Sequence, residues 1–165
     1  MSEIYFIVDS STLSNFVRAG HLNLLKTLFH AGLLTTFDVI EEIERGSEKY
    51  PELQTVLNEL NLWLKVVDEL TEKEQSLIRN LRITHEEFEE GADASLLAVA
   101  KERNLVLITD DKYLKKVAER EGVKVVRTME ILDEARNRGL IRSEEELNQI
   151  ARDMEHRARF KLKNF

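Results

Sequence analysis

Five acidic residues are the strongest candidates for chemistry in this sequence: Asp9, Glu42, Asp93, Asp110 and Asp111. Asp9 follows an apolar run at 4–8, and Asp110 and Asp111 follow another at 105–108. Ligand chemistry in open α/β sheets lies beyond the carboxyl ends of the strands, so these acids are expected to meet in one crevice. Carboxylates that converge without buried cations repel one another, and a divalent cation relieves that repulsion. Magnesium and manganese prefer such oxygen ligands, so the pattern indicates metal-dependent phosphodiester hydrolysis.

Asp93 is the acid whose position is least expected of a surface residue. Leu96, Leu97 and Ala100 lie three, four and seven positions beyond it, so on a helix Asp93 belongs to the apolar stripe. Burying an unpaired carboxylate is costly, which means that it must be paired, capped or bound to a metal. A first-turn acid can also serve the helix dipole. The apolar surroundings favour the metal.

The other acids have structural explanations as well as functional ones. Asp9 precedes a helical pattern and fits an N-cap as well as a metal ligand, and the Asp110–Asp111 pair fits a turn and a cap. Glu42 and Glu44 flank the apolar stripe of their helix about equally, and both fit solvated surface acids. The residue pattern therefore supports Asp9, Asp93 and the 110–111 pair, and leaves Glu42 open.

Strand-like and helical patterns alternate along the chain. Short apolar runs predict strands at 4–8, 33–36, 63–67, 105–109 and 123–126. Helical patterns separate them, which indicates right-handed crossovers and a mostly parallel sheet. Asp38 is expected to cap one helix, Thr71 and Glu74 to form a capping box for another, and Pro51 to start a helix that runs through Leu60. The segment from Ser143 onward is expected to be a charged helix.

Composition limits the class of protein. The 165 residues are long enough for one domain with a real core, and 42% of them are hydrophobic. The absence of cysteine excludes disulfides and thiolate metal sites. The net charge of −7 argues against a generic nucleic-acid coat protein but not against a nuclease. Neither a signal peptide nor an apolar run long enough to span a membrane is apparent, so a cytoplasmic protein is expected.

Several other site types lack a required residue. A haloacid dehalogenase-type phosphatase needs an Asp two residues after its nucleophile, and Ser11 stands there. A receiver-type phosphoacceptor needs an acidic pair by the first strand and a central Asp, but only Asp9 is present. The stretch 10–12 is not the glycine-rich turn of a P-loop or dinucleotide site. His85–Glu86 lacks the second His of a zinc protease motif.

Four segments in order resemble a PIN domain: FIVDSSTLSNF (6–16), VIEEI (39–43), GADASLLAVAKE (91–102) and LVLITDDKYLKKVA (105–118). The resemblance covers roughly the first 128 residues. It implies a three-layer α/β/α sandwich around a mostly parallel central sheet. PIN domains are metal-dependent nucleases that act mostly on RNA, and many prokaryotic members are the toxins of VapBC-type toxin–antitoxin pairs.

The resemblance also implies roles for individual residues. The family's acids fall on Asp9, Glu42, Asp93 and Asp111, with Mg²⁺ or Mn²⁺ bound by Asp9, Asp93 and Asp111 and with Asp110 as the reserve ligand. The family's T-x-D element matches 109–111 and begins with Thr109. Ser11 matches a hydroxyl position that holds a metal-bound water or a phosphate oxygen.

The resemblance implies partners and a division of the chain. An RNA substrate, an antitoxin protein and a homodimer are expected partners, and a membrane is not. The PIN-like nuclease domain is expected at 1–141 and a charged helical extension at 142–165. The longer 47–82 region and the extra helix depart from compact toxins. The alternative function is a catalytically silent PIN-fold module that binds nucleic acid or another protein.

Two groups of basic residues could contact a partner. The basic stretch 152–163 fits a contact with RNA or a second subunit. The lysines Lys112, Lys115 and Lys116 fit either phosphate contacts or a solvated helix face.

Overall fold

The computed structural model describes residues 5–162, and a parallel β-sheet forms the middle of this part of the chain. Its strands are β1 (Phe6–Val8), β2 (Leu33–Thr35), β3 (Leu64–Val66), β4 (Val106–Ile108) and β5 (Val125–Val126). They are hydrogen-bonded in the order β3-β2-β1-β4-β5, and every pairing is parallel. The mostly parallel sheet predicted from the sequence is confirmed. Residue 4 of the first predicted strand lies outside the described residues.

The register of the two central strands brings their carboxyl ends together. Val8 is paired with Ile108, and the N–H of Asp9 donates to the carbonyl of Ile108 at 3.2 Å. The strands β2 and β3 extend the sheet on one side of β1, whereas β4 and β5 extend it on the other side. The sheet order therefore reverses between β1 and β4, and such a switch point opens a crevice at the carboxyl edge.

Helices occupy the connections between the strands. They are α1 (Ser10–Arg18), α2 (Leu22–Leu28), α3 (Phe37–Gly46), α4 (Gln54–Asn58), α5 (Glu72–Thr84), α6 (Asp93–Glu102), α7 (Lys112–Arg120), α8 (Thr128–Asn137) and α9 (Glu144–Arg157). The helix α1 contacts α2, α3, α4 and α9, whereas α6 contacts α5 and α7. Right-handed crossovers place these two groups on opposite faces of the sheet.

The helix α6 is buried almost all around. Every residue at 94–100 is buried, because the helix packs on β1 and β4 on one side and on α5 on another. Its sequence is accordingly rich in Ala and Leu and has no wide polar face. Asp93 is its first residue, so the carboxylate is attached to one of the most firmly packed elements of the protein.

Two helix starts differ from the prediction. Thr36, not Asp38, caps α3: its hydroxyl accepts from the N–H of Val39 at 3.4 Å, and Asp38 lies in the first turn. The predicted helix from Pro51 to Leu60 is a 3₁₀ turn at Pro51–Leu53 followed by the short α4, which ends at Asn58. The capping box of Thr71 and Glu74 is confirmed at the start of α5.

The C-terminal helix forms as predicted and packs on the rest of the protein. Ser143 caps α9, and its hydroxyl accepts from the N–H of Glu146 at 3.0 Å. The apolar face of α9 belongs to the same hydrophobic core as the sheet. The boundary between residues 141 and 142 stays a prediction. Among residues 5–162, no helix combines the length and apolar character required to cross a bilayer.

Candidate active site

Asp9 is buried at the carboxyl end of β1 and both of its side-chain oxygens accept hydrogen bonds. Oδ1 accepts from the N–H of Thr12 at 2.9 Å, which caps α1, and Oδ2 accepts from the hydroxyl of Thr109 at 2.5 Å. Burial raises the pKa of Asp9 to about 6 despite these two hydrogen bonds, and the charge of Asp110 adds to the rise. Asp9 is therefore a helix cap and also a carboxylate whose negative charge is poorly compensated.

Thr109 connects the ends of the two central strands. Its buried hydroxyl donates to Asp9, which follows β1, and accepts from the N–H of Asp111 at 3.1 Å. A hydroxyl supplies one donor and two acceptor sites, and only a hydroxyl could make both bonds at this position. Thr109 thus fixes the turn after β4 relative to the carboxylate that follows β1.

Asp93 is the electrostatic centre of the site. It is half-buried at the first position of α6, directly after Gly91 and Ala92. Its pKa is raised to about 7, chiefly by burial and then by the charges of Asp111, Asp9 and Glu42. These three are the other acids that the sequence placed at the site. The structure therefore brings Asp9, Glu42 and Asp111 within electrostatic reach of Asp93.

Glu42 reaches the site from α3. Glu42 is half-buried, whereas Glu44 is exposed. Helical projection alone could not distinguish these two residues. The hydroxyl of Ser10 donates to Oε1 of Glu42 at 3.2 Å, and burial raises the pKa of Glu42 despite that bond. A Cβ on Gly91, whose φ is +86°, would lie 3.5 Å from Oε2 of Glu42. Glycine at 91 thus permits the left-handed turn before Asp93, and a Cβ there would make only an ordinary contact with Glu42.

The two acids after β4 point to different neighbours. Asp111 is exposed and caps α7, since its Oδ1 accepts from the N–H of Leu114 at 2.7 Å. Asp110 accepts from the hydroxyl of Thr128 and from the N–H of Thr128 at 3.2 Å, at the start of α8. Burial raises the pKa of Asp110 despite the bonds from Thr128. The charge of Asp111 acts on Asp93, and Asp110 connects the end of β4 to α8.

The two hydroxyls at the start of α1 take different positions. Ser10 holds Glu42, a role that the sequence did not reveal. Ser11, which was expected to contact a water or a phosphate, is exposed in the first turn. The only sequence signal for Ser10 was its place directly after Asp9, where the first turn of a helix presents its side chain toward the same strand ends.

The donor set suits a hard divalent cation. All four clustered acids offer oxygen, and none of the cluster is a histidine or cysteine, so the set favours Mg²⁺ or Mn²⁺ over zinc. Within residues 5–162, no three acidic or histidine side chains stand in a ready-made metal-ligand arrangement. One oxygen of Asp9 and one of Asp111 already accept a helix-capping N–H. The cluster thus carries negative charge that a divalent cation would neutralise.

Comparisons with known proteins agree with this fold. The family described as DUF3368, PIN domain, matches residues 5–164. The fold is similar to that of PAE2754 from Pyrobaculum aerophilum, with a TM-score of 0.56 and 19% identity over 81% of this chain and 98% of that chain. It is also similar to VapBC2 from Rickettsia felis, solved bound to a DNA fragment from their promoter, with a TM-score of 0.54 and 14% identity over 76% of this chain and 98% of that chain.

These similarities concern the fold. At such identities the two structures establish a shared architecture, and the three-layer α/β/α sandwich expected from the sequence is confirmed. No curated protein matches the chain.

Proposed function

The chain belongs to the PIN domain family, and from that premise we propose that it is a divalent-metal-dependent endoribonuclease that hydrolyses phosphodiester bonds in single-stranded RNA. The observation that supports this proposal is the pKa of Asp93, raised to about 7 by burial and by the charges of Asp111, Asp9 and Glu42. A fold that needed no cation here would gain stability by replacing one of these acids with a neutral side chain.

Asp9, Asp93 and Asp111 would hold Mg²⁺ or Mn²⁺, with Asp110 as the reserve ligand. When bound, the cation polarises the scissile phosphate and lowers the pKa of the attacking water. Ser10 donates to Oε1 of Glu42, and burial raises the pKa of this carboxylate, which can take a proton from a water or return one. Thr109 holds one oxygen of Asp9 in place, and Ser11 is exposed where it can donate to a phosphate oxygen.

Cleavage of a single-stranded RNA in the presence of Mg²⁺ or Mn²⁺ tests the proposal. We expect the wild-type chain to cut, and we expect Asp93→Asn to slow cutting by roughly 100-fold or more, a typical loss for a group that acts directly on the reaction. Glu42→Gln should be slow while Glu44→Gln, an exposed neighbour on the same helix, should cut at the wild-type rate. Cleavage that persists unchanged in Asp9→Asn would remove Asp9 from the mechanism.

The second candidate is a PIN-fold module that binds nucleic acid or a protein without cutting. The hydrogen bonds that already occupy both oxygens of Asp9 favour it, since they leave that carboxylate partly satisfied without a metal. Thermal unfolding with increasing Mg²⁺ or Mn²⁺ separates the two candidates. A metal-binding nuclease should gain about 2.7 kcal/mol at 100 times the dissociation constant. A module should gain nothing, and its unfolding should not respond to Asp93→Asn in a metal-dependent way.

The biological setting that we propose is a toxin–antitoxin pair. VapBC2, whose fold this chain shares, is solved on a DNA fragment from their promoter, and by analogy an antitoxin protein would be the partner here. The homodimer expected from the family resemblance stays a prediction. A cleaving wild-type chain that is harmless when overproduced in cells would indicate RNA processing, not a toxin.

A further inference from the structure

A groove begins beside the acidic cluster and runs along the start of α7 toward the end of the chain. Its lining includes Asp110, Lys112, Lys115, Arg127, Phe160 and Lys161. Asp110 and Lys112 flank the candidate site residue Asp111 in the sequence. The negative charge of Asp110 also interacts electrostatically with Asp9. The groove therefore adjoins the turn that carries the candidate site residue Asp111.

The groove is positive in a protein that is acidic overall. Four of its lining residues are cationic, and its one acid, Asp110, is engaged by Thr128. Lys112 and Lys161 form no ion pair with any residue in the described part of the chain. The Nε of Arg127 is buried without a hydrogen-bond partner and lies 3.8 Å from Glu130. Lys115 pairs with Glu119 at 2.5 Å. Cationic groups are thus available to an anionic ligand.

The opposite side of the acidic cluster has the reverse charge. The cleft next to Glu42 is also lined by Asp38, Glu41, Glu89 and Glu90, against only two arginines. Phosphates entering from that side would meet five acids. A nucleic-acid strand that reaches the carboxylates would therefore extend along the lysine side.

The far wall of the groove is a fixed piece of chain. After α9, Arg159 takes a left-handed backbone with φ of 56°, and the N–H of Phe160 donates to the carbonyl of Met154 at 2.9 Å. Ala158 and Leu162 are buried on either side of the exposed Lys161. Phe160 and Lys161 are thus held between two anchors, and the half-buried ring of Phe160 contributes to the groove.

We infer that this groove binds the single strand of RNA that continues from the cleaved phosphate. Lys112, Arg127 and Lys161 contact phosphates, and a base stacks on Phe160. A positive groove with an aromatic platform is the usual arrangement for single strands, because stacking on a π-face tolerates any base. This inference rests on the proposed function, since it assigns the substrate path of the same site.

Binding measured by fluorescence anisotropy tests the groove without cleavage. The full chain carrying Asp93→Asn is titrated, without metal, into a labelled mixed-sequence RNA of about 12 nucleotides. We expect Lys112→Ala with Lys161→Ala to weaken binding roughly tenfold, and to lower the slope of log affinity against log salt by about 0.7 for each phosphate that is no longer neutralised. Lys124→Ala is the matched control, because Lys124 is exposed at the amino end of β5, whereas the groove lies beyond the carboxyl ends of β4 and β5.

Phe160 needs two variants, since part of its ring packs on the core. Phe160→Leu keeps an apolar side chain and removes the π-face, so it should fold like the wild type yet bind roughly fivefold more weakly. Phe160→Ala should bind at least as weakly. Affinities within about twofold of the Lys124→Ala control for both the lysine and Phe160→Leu variants would overturn the groove. A blunt RNA duplex that binds as tightly as the single strand would overturn the stacking assignment.

The nuclease proposal and the groove proposal can be contradicted independently of each other. If the wild-type chain never cuts RNA with Mg²⁺ or Mn²⁺, and the groove variants still weaken binding, the nuclease proposal falls and the groove stands. If the wild-type chain cuts and the groove variants bind and cut at the control level, the groove falls and the nuclease proposal stands.

Discussion

Asp9 and Asp111 cap helices and are also two of the acids that we propose as metal ligands. Asp9 caps α1 with Oδ1 and receives Thr109 on Oδ2, and Asp111 caps α7 with Oδ1. The explanations that the sequence offered as alternatives, a helix cap or a functional acid, therefore describe different oxygens. Capping orients each carboxylate before any ligand arrives, which is the preorganisation that an active site requires.

At the residue scale, Asp93→Asn should stabilise the metal-free protein at alkaline pH. Burial and three neighbouring charges raise the pKa of Asp93 from 3.8 to about 7. Between these values the folded state holds a proton that the unfolded state has released, so the free energy of unfolding falls as the pH rises. Asn mimics the protonated form and removes this loss. We expect its melting temperature to exceed that of the wild type by about 4 °C or more near pH 8.

The same variant should show little difference near pH 4, where the carboxyl is protonated in the folded wild type as well. Asp133→Asn, which changes an exposed acid on α8, is the matched control and should follow the wild type at every pH. Mg²⁺ near pH 8 should raise the melting temperature of the wild type and leave Asp93→Asn unchanged. A melting temperature for Asp93→Asn below that of the wild type across the whole pH range would contradict the account of a strained carboxylate.

The sequence could predict the acids of the site more readily than the groups that hold them. Local strand and helix patterns point to Asp9, Asp93 and the 110–111 pair, and the family resemblance selects Asp111 and adds Glu42. Ser10 carries no such signal for its bond to Glu42, and the resemblance names Thr109 without indicating that its hydroxyl joins Asp9 to Asp111. Contacts between residues 32 and 100 positions apart depend on register and rotamer, which no local pattern encodes.

At the scale of elements, strand and helix positions followed from periodicity, and the exact helix starts did not. Thr36 and Asp38 are both good caps, and the sequence favoured Asp38 for α3. Ser95 favours Thr36 as the cap, because the hydroxyls of Ser95 and Thr36 are hydrogen-bonded at 3.0 Å and join α6 to the start of α3. Asp38 instead pairs with Arg82 at 3.3 Å. A tertiary contact selected between two local choices of similar strength.

The link between α5 and α6 gives a prediction at this scale. Glu74 is buried, accepts from the N–H of Thr71 at 2.9 Å, and accepts from Nε and Nη2 of Arg103 at 2.7 and 3.1 Å. We expect Glu74→Ala to destabilise the protein by about 2–3 kcal/mol, since it removes the capping box and the partner of a partly exposed guanidinium. Denaturant unfolding measures the loss.

Two comparisons sharpen this test. Glu74→Gln keeps an acceptor for Thr71 and loses the charge, so its stability should fall between those of the wild type and Glu74→Ala. Glu72→Ala removes an exposed acid from the first turn of the same helix and should change the stability by less than about 0.5 kcal/mol. Equal losses for Glu72→Ala and Glu74→Ala would show that the buried bonds to Arg103 contribute nothing.

At the scale of the whole molecule, the net charge of −7 conceals a division across the acidic cluster. One side offers a cleft of acids, and the other a groove of lysines and an arginine. Composition argues against a basic nucleic-acid coat protein. It cannot reveal this division of charge, because charges far apart along the chain come together only in the folded protein. Local potential, not net charge, determines where a polyanion approaches.

The C-terminal helix joins the core and the groove. Its buried side chains Leu147, Ile150 and Met154 pack in the core, and Leu162 beyond it does the same. His21 contacts Asp153 at 2.8 Å, and Arg18 donates to the carbonyl of Arg157 at 3.2 Å. The sequence predicts a charged helical extension and does not show whether it folds back, whereas the structure packs the apolar face of α9 on the core.

A chain shortened to residues 1–141 should therefore lose most of its stability. Each of the four buried side chains contributes about 1.5–3 kcal/mol, so their loss totals roughly 6–12 kcal/mol, against a typical total of about 5–15 kcal/mol for a domain. We expect the shortened chain to lack a cooperative thermal transition by circular dichroism. Met154→Ala in the full chain should cost about 2–5 kcal/mol, and its exposed neighbour Glu155→Ala almost nothing. A shortened chain that melts like the full one would make 1–141 an autonomous domain, and would leave α9 and Lys161 to serve the RNA groove alone.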